Sequence, residues 1–474
     1  MYGWLHQKRE LMSDDVARPT VIVIGAGMSG LLAAAALADH ADVTLIERDT
    51  LPAGPEPRRG VPQARHAHLV WTGGVTALDA LLPGLTDELV SRGARLAHIM
   101  GDMVSRAPNE IWFRRFTSTP HRNLVCSRDL LDAVTRARVL ADPRVTLRQN
   151  TAADRLAGDA ARVTGLHIRT PDMADEHLAA DLVIDATGRG SRAPAWLKAL
   201  GLPAVPEREV DAGVAYATRV YRAPAEDFPL VNVQANPAVP PGRGGIILPV
   251  ENGRWIVTLS GTRGGEPTDD PDAFTDFALG LGDPVIGELI RDAEPLTEVV
   301  TTRSTANRRR HFEKLRHWPD GFTVIGDAVA GYNPVYGHGI TVAAQSALAL
   351  REHAATTGVT RPGSARRLQK AVTRPVAAAW DLAIGQDIFY PGASDQSPTW
   401  VERALAAFVD RAVATGARNP RALAALLDVM SLSRPATRLF SPAMLLPMLF
   451  GPGRPFLTGA PLTEGERKAV VQER

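Results

Sequence analysis

Val21-Ile22-Val23-Ile24-Gly25-Ala26-Gly27-Met28-Ser29-Gly30 decides the architecture of this chain. Its first four residues are a continuous apolar run, which suits a parallel strand buried on both faces. The spacing Gly25-x-Gly27-x-x-Gly30 follows at once, and the Ala- and Leu-rich stretch from Leu31 to Ala38 reads as a helix. Glycines so spaced allow a tight turn and close approach of backbone to a pyrophosphate, while the helix N-terminus offers free N–H groups and a partial positive charge. A second strand, Asp42 to Ile46, ends in Glu47, about twenty residues on, where a carboxylate can accept both ribose hydroxyls. The glycine pattern alone is a weak signal; strand, helix, second strand and acidic residue together predict a dinucleotide site. Its candidate residues are Gly25, Ala26, Gly27, Met28, Ser29, Gly30, Glu47 and Arg48.

The acidic residue does not distinguish NAD from FAD, but later segments do. Phe322 to Ile325 is another apolar strand, leading into Gly326-Asp327-Ala328, and Gly337-His338-Gly339-Ile340 opens a helix that runs past Leu350. An Asp at a buried strand end can hydrogen-bond the ribityl chain of a flavin, and a second helix N-terminus can face its pyrophosphate or carbonyl region. Gly326, Asp327, Gly337, Gly339 and Ile340 join the cofactor set. Between these motifs, strands are expected at Val145 to Leu147, Val163 to Arg169 and Leu182 to Ala186, and a strand end running into a helix from Leu124 to Leu140. Gly245 to Val250 and Trp255 to Ser260 flank Glu251-Asn252-Gly253, a hairpin signal, so residues 210–306 read as an antiparallel sheet. Arg308-Arg309-Arg310-His311 reads as a solvated strand end. Beyond residue 340 the chain is mainly helical.

Composition bounds the possibilities. The 474 residues suggest about three domains, or two large ones sharing a core. Lys plus Arg total 53 against 52 Asp plus Glu, and a net charge of +1 argues against nucleic acid or a membrane surface as the main partner. The single Cys126 excludes an intramolecular disulfide framework and a cysteine-rich metal site, and no metal is expected. Met1 to Thr20 is mixed and polar without a signal-like apolar segment, and Pro442 to Phe450 is far shorter than the ~20 residues that span a bilayer. A cytoplasmic protein without stable membrane insertion is expected.

The sequence resembles the FAD-dependent monooxygenases of the para-hydroxybenzoate hydroxylase fold over about residues 20 to 350. Within that superfamily, Gly326-Asp327-Ala328-Val329, Asn333-Pro334-Val335-Tyr336-Gly337-His338-Gly339 and Gly60-Val61-Pro62-Gln63-Ala64-Arg65-His66-Ala67-His68 are similar to segments of bacterial flavin epoxidases of polyether ionophore biosynthesis, the monensin and lasalocid type. The resemblance implies an α/β fold: an FAD-binding Rossmann-like domain of the glutathione reductase type, an inserted, mainly antiparallel substrate sheet and a helical C-terminal extension. The FAD-binding segments would be 18–85, 123–205 and 307–355, the substrate segments 86–122 and 206–306, and the helical region 356–474. It also implies that Arg128, at a helix start, approaches the FAD phosphates, and that the 60–68 loop comes near the flavin ring. No catalytic residue is certain; Gln63, His66, His68, Pro334 and Tyr336 are the candidates.

By the same resemblance the activity would be epoxidation of a polyene polyketide by a flavin C4a-hydroperoxide, with dioxygen as co-substrate. An alkene attacking an electrophilic oxygen needs no protein base, whereas a phenol usually does. Aromatic hydroxylases carry Ala-Asp-Gly after the strand preceding their substrate domain. Here Asp185-Ala186-Thr187-Gly188-Arg189-Gly190 stands instead, adding Thr187 and Gly188 to the cofactor set. With Thr187 in the place of that Asp and no second glycine fingerprint, NAD(P)H is expected to act as ultimate reductant, through a separate flavin reductase or by a weak direct reaction. An acyl carrier protein is a further candidate partner. Hydroxylation of an aromatic or polyketide ring is the alternative, and alkene reduction a more distant one. A flavin halogenase would need an early catalytic Lys and a Trp-x-Trp-x-Ile-Pro segment, and no Lys occurs between Lys8 and Lys198.

Overall fold

A computed structural model describes residues 18–471 apart from 171, 173, 174, 226 and 452. The polar N-terminal segment read above lies almost wholly outside the described residues. The apolar run at the start of the chain becomes the strand Thr20–Ile24, the centre of a five-stranded parallel sheet. The order across the sheet is Phe322–Val324, Leu182–Asp185, Thr20–Ile24, Asp42–Ile46, Val145–Arg148. Alternate side chains of the central strand enter two different cores. Val21 and Val23 pack with Leu31, Leu32 and Leu37 of the helix Met28–Leu37. Ile22 and Ile24 pack with Leu166 and Ile168 of an antiparallel three-stranded meander formed by Ala152–Gly158, Val163–Arg169 and Asp175–Ala179. Burying each such Val or Ile contributes roughly 1.5–3 kcal/mol, which is why the strand carries no polar alternation.

The edge strand Phe322–Val324 is closed by a side chain. Gln369, on the helix Ser364–Asp387, accepts from Val324 N at 2.8 Å and donates to Val324 O at 3.2 Å. Edge strands left open invite pairing with other chains, and this amide satisfies the exposed groups.

The second body is a six-stranded sheet ordered Val300–Thr302, Ala215–Arg222, Arg254–Gly261, Arg243–Val250, Leu230–Val233, Met103–Arg106. Only the last pair is parallel. The expected hairpin is present, with Asn252 and Gly253 both at positive φ (64° and 60°) in the turn between Val250 and Arg254. Trp255 is fully buried and lies 4.8 Å from the Phe228 ring. The Met103–Arg106 strand reaches this sheet from the early part of the chain, and a small sheet of Leu69–Val70, Arg122–Val125 and Arg95–His98 joins the two bodies.

One expectation is corrected. Asn307–Arg310 is the middle strand of a three-stranded sheet, between Glu207–Val210 and Ala330–Gly331, and is not solvated. Arg309 and Arg310 are buried; Arg310 pairs with Glu207 at 3.2 Å and donates to Ala328 O at 2.9 Å. A run of arginines looks solvated by composition, but here Glu207 and the Ala328 carbonyl meet Arg310, and Glu313 meets Arg309, whose Nε is left without a partner among the described residues.

After the helix Gly339–Thr357 come Ser364–Asp387, Trp400–Gly416, Pro420–Met430, Pro442–Phe450 and Glu464–Val471. Among the described residues no helix is long and apolar enough to cross a membrane.

Candidate active site

The turn after the first strand is shaped by three glycines with different duties. Gly25 has φ +95°, a conformation that side chains disfavour, and its N–H donates to Ile46 O at 2.8 Å. A Cβ on Gly30 would lie 1.8 Å from Gly25 O, so the helix packs directly on the turn. Gly27 is the N-cap without a side-chain cap, and a Cβ there would meet nothing within 4 Å. Open space therefore faces the unfilled N–H groups of the helix, the arrangement that can hold an anion.

Glu47 closes one side of this space. It is buried and accepts from Ala26 N (3.0 Å), Asp49 N (3.1 Å) and Arg58 Nη2 (3.0 Å). Arg58 also donates to Ala26 O at 2.8 Å, and its Nη1 lies 3.9 Å from Asp132 Oδ2. Asp132 in turn accepts from Arg128 Nε at 2.7 Å. The result is a buried chain of alternating charge, Glu47–Arg58–Asp132–Arg128. Arg128 opens the helix Arg128–Leu140, which is capped by Ser127 Oγ accepting from Leu130 N. Arg48 is not part of the chain: its side chain is 71% exposed and lies 3.8 Å from Asp49. Arg58, and not the expected cofactor residue Arg48, is the arginine that reaches Glu47. Its only sequence signal was adjacency to the Gly60–His68 segment, whereas Asp132 was legible as the i+4 partner of Arg128.

The other strand ends converge on the same turn. Gly326 has φ +62°, and a Cβ there would lie 2.2 Å from Ser29 Oγ, so the third motif rests on the first. Asp185, fully buried, accepts from Thr187 N (2.9 Å), Thr187 Oγ1 (2.6 Å) and Ser191 Oγ (2.6 Å). This knot orients Gly188, whose Cβ position would be 3.9 Å from Asp327 Cβ. Asp327 accepts no side-chain or backbone hydrogen bond from the described residues; burial raises its carboxyl above the usual range, opposed by Arg189 and Arg128. A half-buried carboxyl without a donor, between two cations and beside an open glycine turn, fits a ligand that brings hydroxyls. Arg189 is held by Ala306 O (2.9 Å) and Tyr332 O.

The 60–68 loop and the 333–339 segment approach from the substrate sheet. Gln63 lies in the short turn Pro62–Arg65 and is exposed, and its carbonyl accepts from His66 N at 3.2 Å. His66 is buried, its Nδ1 2.8 Å from Thr218 Oγ1; Ala67 N donates to Thr258 Oγ1 at 2.9 Å, and the two threonine hydroxyls are 2.7 Å apart. His68 Nδ1 lies 2.8 Å from His66 O. Burial first, then the charge of Arg65, holds the His66 imidazole down at about 4; for His68 burial and then Arg128 do the same, to about 4. His68, Arg128 and Ile340 share the lining of one small pocket, which brings three of the expected residues together.

Pro334 and Tyr336 form the turn Pro334–Tyr336, followed by Gly337 at φ +65°. Trp71 Nε1 donates to Tyr336 O at 2.9 Å, and Tyr336 OH donates to Asp387. Asp387 also accepts from Asn333 Nδ2 (2.9 Å) and Asn307 Nδ2 (2.6 Å), while Tyr216 OH donates to Asn333 Oδ1 at 2.7 Å. Gly339 is open to space like Gly27, and His338 is buried with Nε2 2.9 Å from Met430 O. Tyr216 and Asp387 carried no sequence signal: they meet Asn333 from the substrate sheet and from the end of a distant helix.

Comparison with known proteins agrees with this geometry. The chain is 30% identical over 402 residues to Protein Rv3254 of Mycobacterium tuberculosis, covering 82% of this chain and 85% of that protein. Among solved structures, p-nitrophenol 4-monooxygenase PnpA from Pseudomonas putida DLL-E4 aligns with TM-score 0.61 at 17% identity, over 87% of this chain and 99% of PnpA. The flavin-dependent brominase Bmp2 aligns with TM-score 0.62 at 14% identity, over 87% of this chain and 93% of the brominase. At such identities the likeness is one of fold, which hosts more than one reaction. The profile of the FAD binding domain family matches residues 18–382, so the turn, the buried acid and the converging strand ends belong to a member of that family, built on the fold of flavin-dependent monooxygenases.

Proposed function

We propose that the chain is an FAD-dependent monooxygenase that epoxidises carbon–carbon double bonds of a hydrophobic polyene polyketide. The observation that carries this reading is that the candidate catalytic residues His66, His68 and Tyr336 are weak bases. His66 and His68 are held near 4 and are uncharged at neutral pH, and burial pushes the Tyr336 and Tyr216 hydroxyls up, so they too stay neutral. Oxygen transfer to an alkene needs no proton abstracted from the substrate.

Bound FAD would supply the electrons and the activation of dioxygen. The Gly25–Gly30 turn and Arg128 would hold its pyrophosphate, Glu47 its ribose and Asp327 its ribityl hydroxyls, with Thr187, Gly188, Gly337, Gly339 and Ile340 offering backbone around it. His66, fixed to Thr218, and the Pro334–Tyr336 turn, fixed through Asp387, would form rigid walls that orient the substrate and exclude water. One oxygen atom enters the alkene and the other leaves as water, with two electrons and one proton from NAD(P)H and the second proton from solvent. Thr187, tied to Asp185, supports reduction by a separate flavin reductase. Bleaching of bound flavin by NADPH alone at the rate of turnover would defeat that part of the proposal. Whether the polyene arrives free or on an acyl carrier protein, the cytoplasm is the compartment proposed.

Ring hydroxylation is the second reading, favoured by the Tyr336–Asp387 hydroxyl–carboxylate pair, which could take a phenolic proton. The two are separated by supplying holoenzyme, reductase and NADPH with a polyene and with phenols. A polyene product heavier by one oxygen that acid opens to a diol supports epoxidation; a ring hydroxyl as the main product overturns it.

A further inference from the structure

We infer that the C-terminal helices form a docking face for an anionic lipid surface. This inference does not rest on the reaction proposed above. The helix Pro442–Phe450 is apolar at every position, Pro-Ala-Met-Leu-Leu-Pro-Met-Leu-Phe. Met444 and Met448, four apart, are buried against the body of the protein. Leu446, Leu449 and Phe450, at spacings of three and four on the opposite face, are 52%, 74% and 83% exposed. The apolar surface continues on the neighbouring helix Trp400–Gly416. Phe440, 57% exposed, stacks on Phe408 of that helix at 5.0 Å, and Val401 and Leu405 share the face of Phe408. Contiguous exposed apolar area of this kind marks an interaction site.

The charges around it select the occupant. Although the whole chain carries only +1, residues 400–457 contain seven arginines (403, 411, 418, 421, 434, 438, 454) against Glu402, Asp410 and Asp428, a difference of 7 − 3 = 4. A pocket of about 450 Å³ beside Leu449 and Phe450 is lined by Arg411 and Arg418. Arg411 donates to Met448 O at 2.9 Å, and Arg418 lies 3.8 Å from the Phe456 ring centre and donates to Arg454 O. Among the described residues no carboxylate pairs with Arg411, Arg418 or Arg454. Unpaired guanidinium groups beside bulky apolar side chains match phosphate headgroups above acyl chains.

A two-fold contact with a second copy would bring the same unpaired arginines together, which like-charge repulsion opposes. An acidic carrier protein could answer the arginines, but it would leave Leu446, Leu449 and Phe450 to find a matching apolar pocket, whereas an acyl layer accepts any shape. Nine apolar residues are too few to span a bilayer but suffice to lie in its interface. Docking there would place the enzyme where hydrophobic substrates concentrate.

The test is co-sedimentation of full-length holoenzyme with vesicles of phosphatidylglycerol and phosphatidylcholine, against phosphatidylcholine alone. The expected result is binding to the anionic vesicles only, weakened by added salt. The double substitution Leu449→Ser with Phe450→Ser should weaken binding at least tenfold, and Arg411→Gln or Arg418→Gln about fivefold each. Unchanged flavin content and thermal midpoint in these variants exclude misfolding as the cause. Failure to sediment with anionic vesicles, or equal binding by the double variant, would overturn the inference. So would a dimer that the same two substitutions dissociate, or capture of an acidic carrier protein through this face without vesicle binding.

Discussion

Gly27 and Gly30 belong to one fingerprint, yet alanine at each should do opposite things. Gly27 has φ −76° and ψ −179°, backbone that any residue adopts, and its added methyl would meet nothing within 4 Å. The loss of unfolded-state freedom stabilises by about 0.4–1 kcal/mol, offset by alanine being the poorer N-cap by a similar amount. The flavin-free protein should therefore be unchanged to within about 0.5 kcal/mol. The methyl does occupy the space facing the helix N–H groups, and each charge-assisted hydrogen bond lost there costs about 1.5–3 kcal/mol, or roughly 10- to 150-fold in Kd. At Gly30 the methyl would sit 1.8 Å from Gly25 O and 3.0 Å from Gly25 C. Backbone cannot turn aside as a side chain can, so Gly30→Ala should destabilise the flavin-free protein by about 1–3 kcal/mol. Thermal unfolding of the deflavinated proteins and FAD titration by flavin fluorescence measure both quantities. If Gly27→Ala unfolds early and keeps its FAD affinity, the open space is not the pyrophosphate site.

Other consequences are equally direct. Replacing Asp327 by Ala should lower FAD affinity by more than tenfold, read as flavin content after purification; full retention would contradict its assignment. Arg58→Ala leaves Glu47 and Asp132 buried without their shared cation, and should cost about 3 kcal/mol in chemical denaturation. Burial holds His338 at about 4 against an ordinary value of 6.5, so its contribution is complete above pH 6.5 and is lost as pH falls from there towards 4. His338→Gln, which can still donate to Met430 O, should flatten stability against pH in that window by up to ~1.4 kcal/mol per pH unit, measured by urea midpoints. Asp387→Asn disturbs the acceptor of Tyr336, Asn333 and Asn307; it should cost about 1–3 kcal/mol and divert reducing equivalents into hydrogen peroxide, which a peroxidase-coupled assay reads.

What could be read from the chain, and what could not, follows the range of the interactions. The first strand, its glycine turn and the helix 128–140 announce themselves locally, because a buried parallel strand must be apolar and a turn at positive φ favours glycine. The Asn252-Gly253 hairpin is legible for the same reason. The strands Leu69–Val70, Arg95–His98 and Met103–Arg106 are two to four residues long and owe their conformation to pairing with distant segments, so no period marks them. Arg48 and Arg58 both follow Glu47 in a stretch without helical or strand periodicity, and only packing reveals which one turns inward. Asp387 meets Asn333 across 54 residues, and its partners on Asn307 and Tyr336 arrive from two more segments. Arg310 shows composition failing: a buried guanidinium group is tolerated where a carboxylate and a carbonyl meet it. Cys126 is buried, its thiol pushed up by that burial, which suits a packing role and leaves electron transfer to the flavin.

The central claim is oxygen transfer to an alkene, and labelled dioxygen tests it most directly. Holoenzyme with a flavin reductase, NADPH and a candidate polyene should consume one dioxygen per double bond oxidised and place one labelled atom in each epoxide. A product without label, or a polyene reduced without oxygen uptake, would contradict the account.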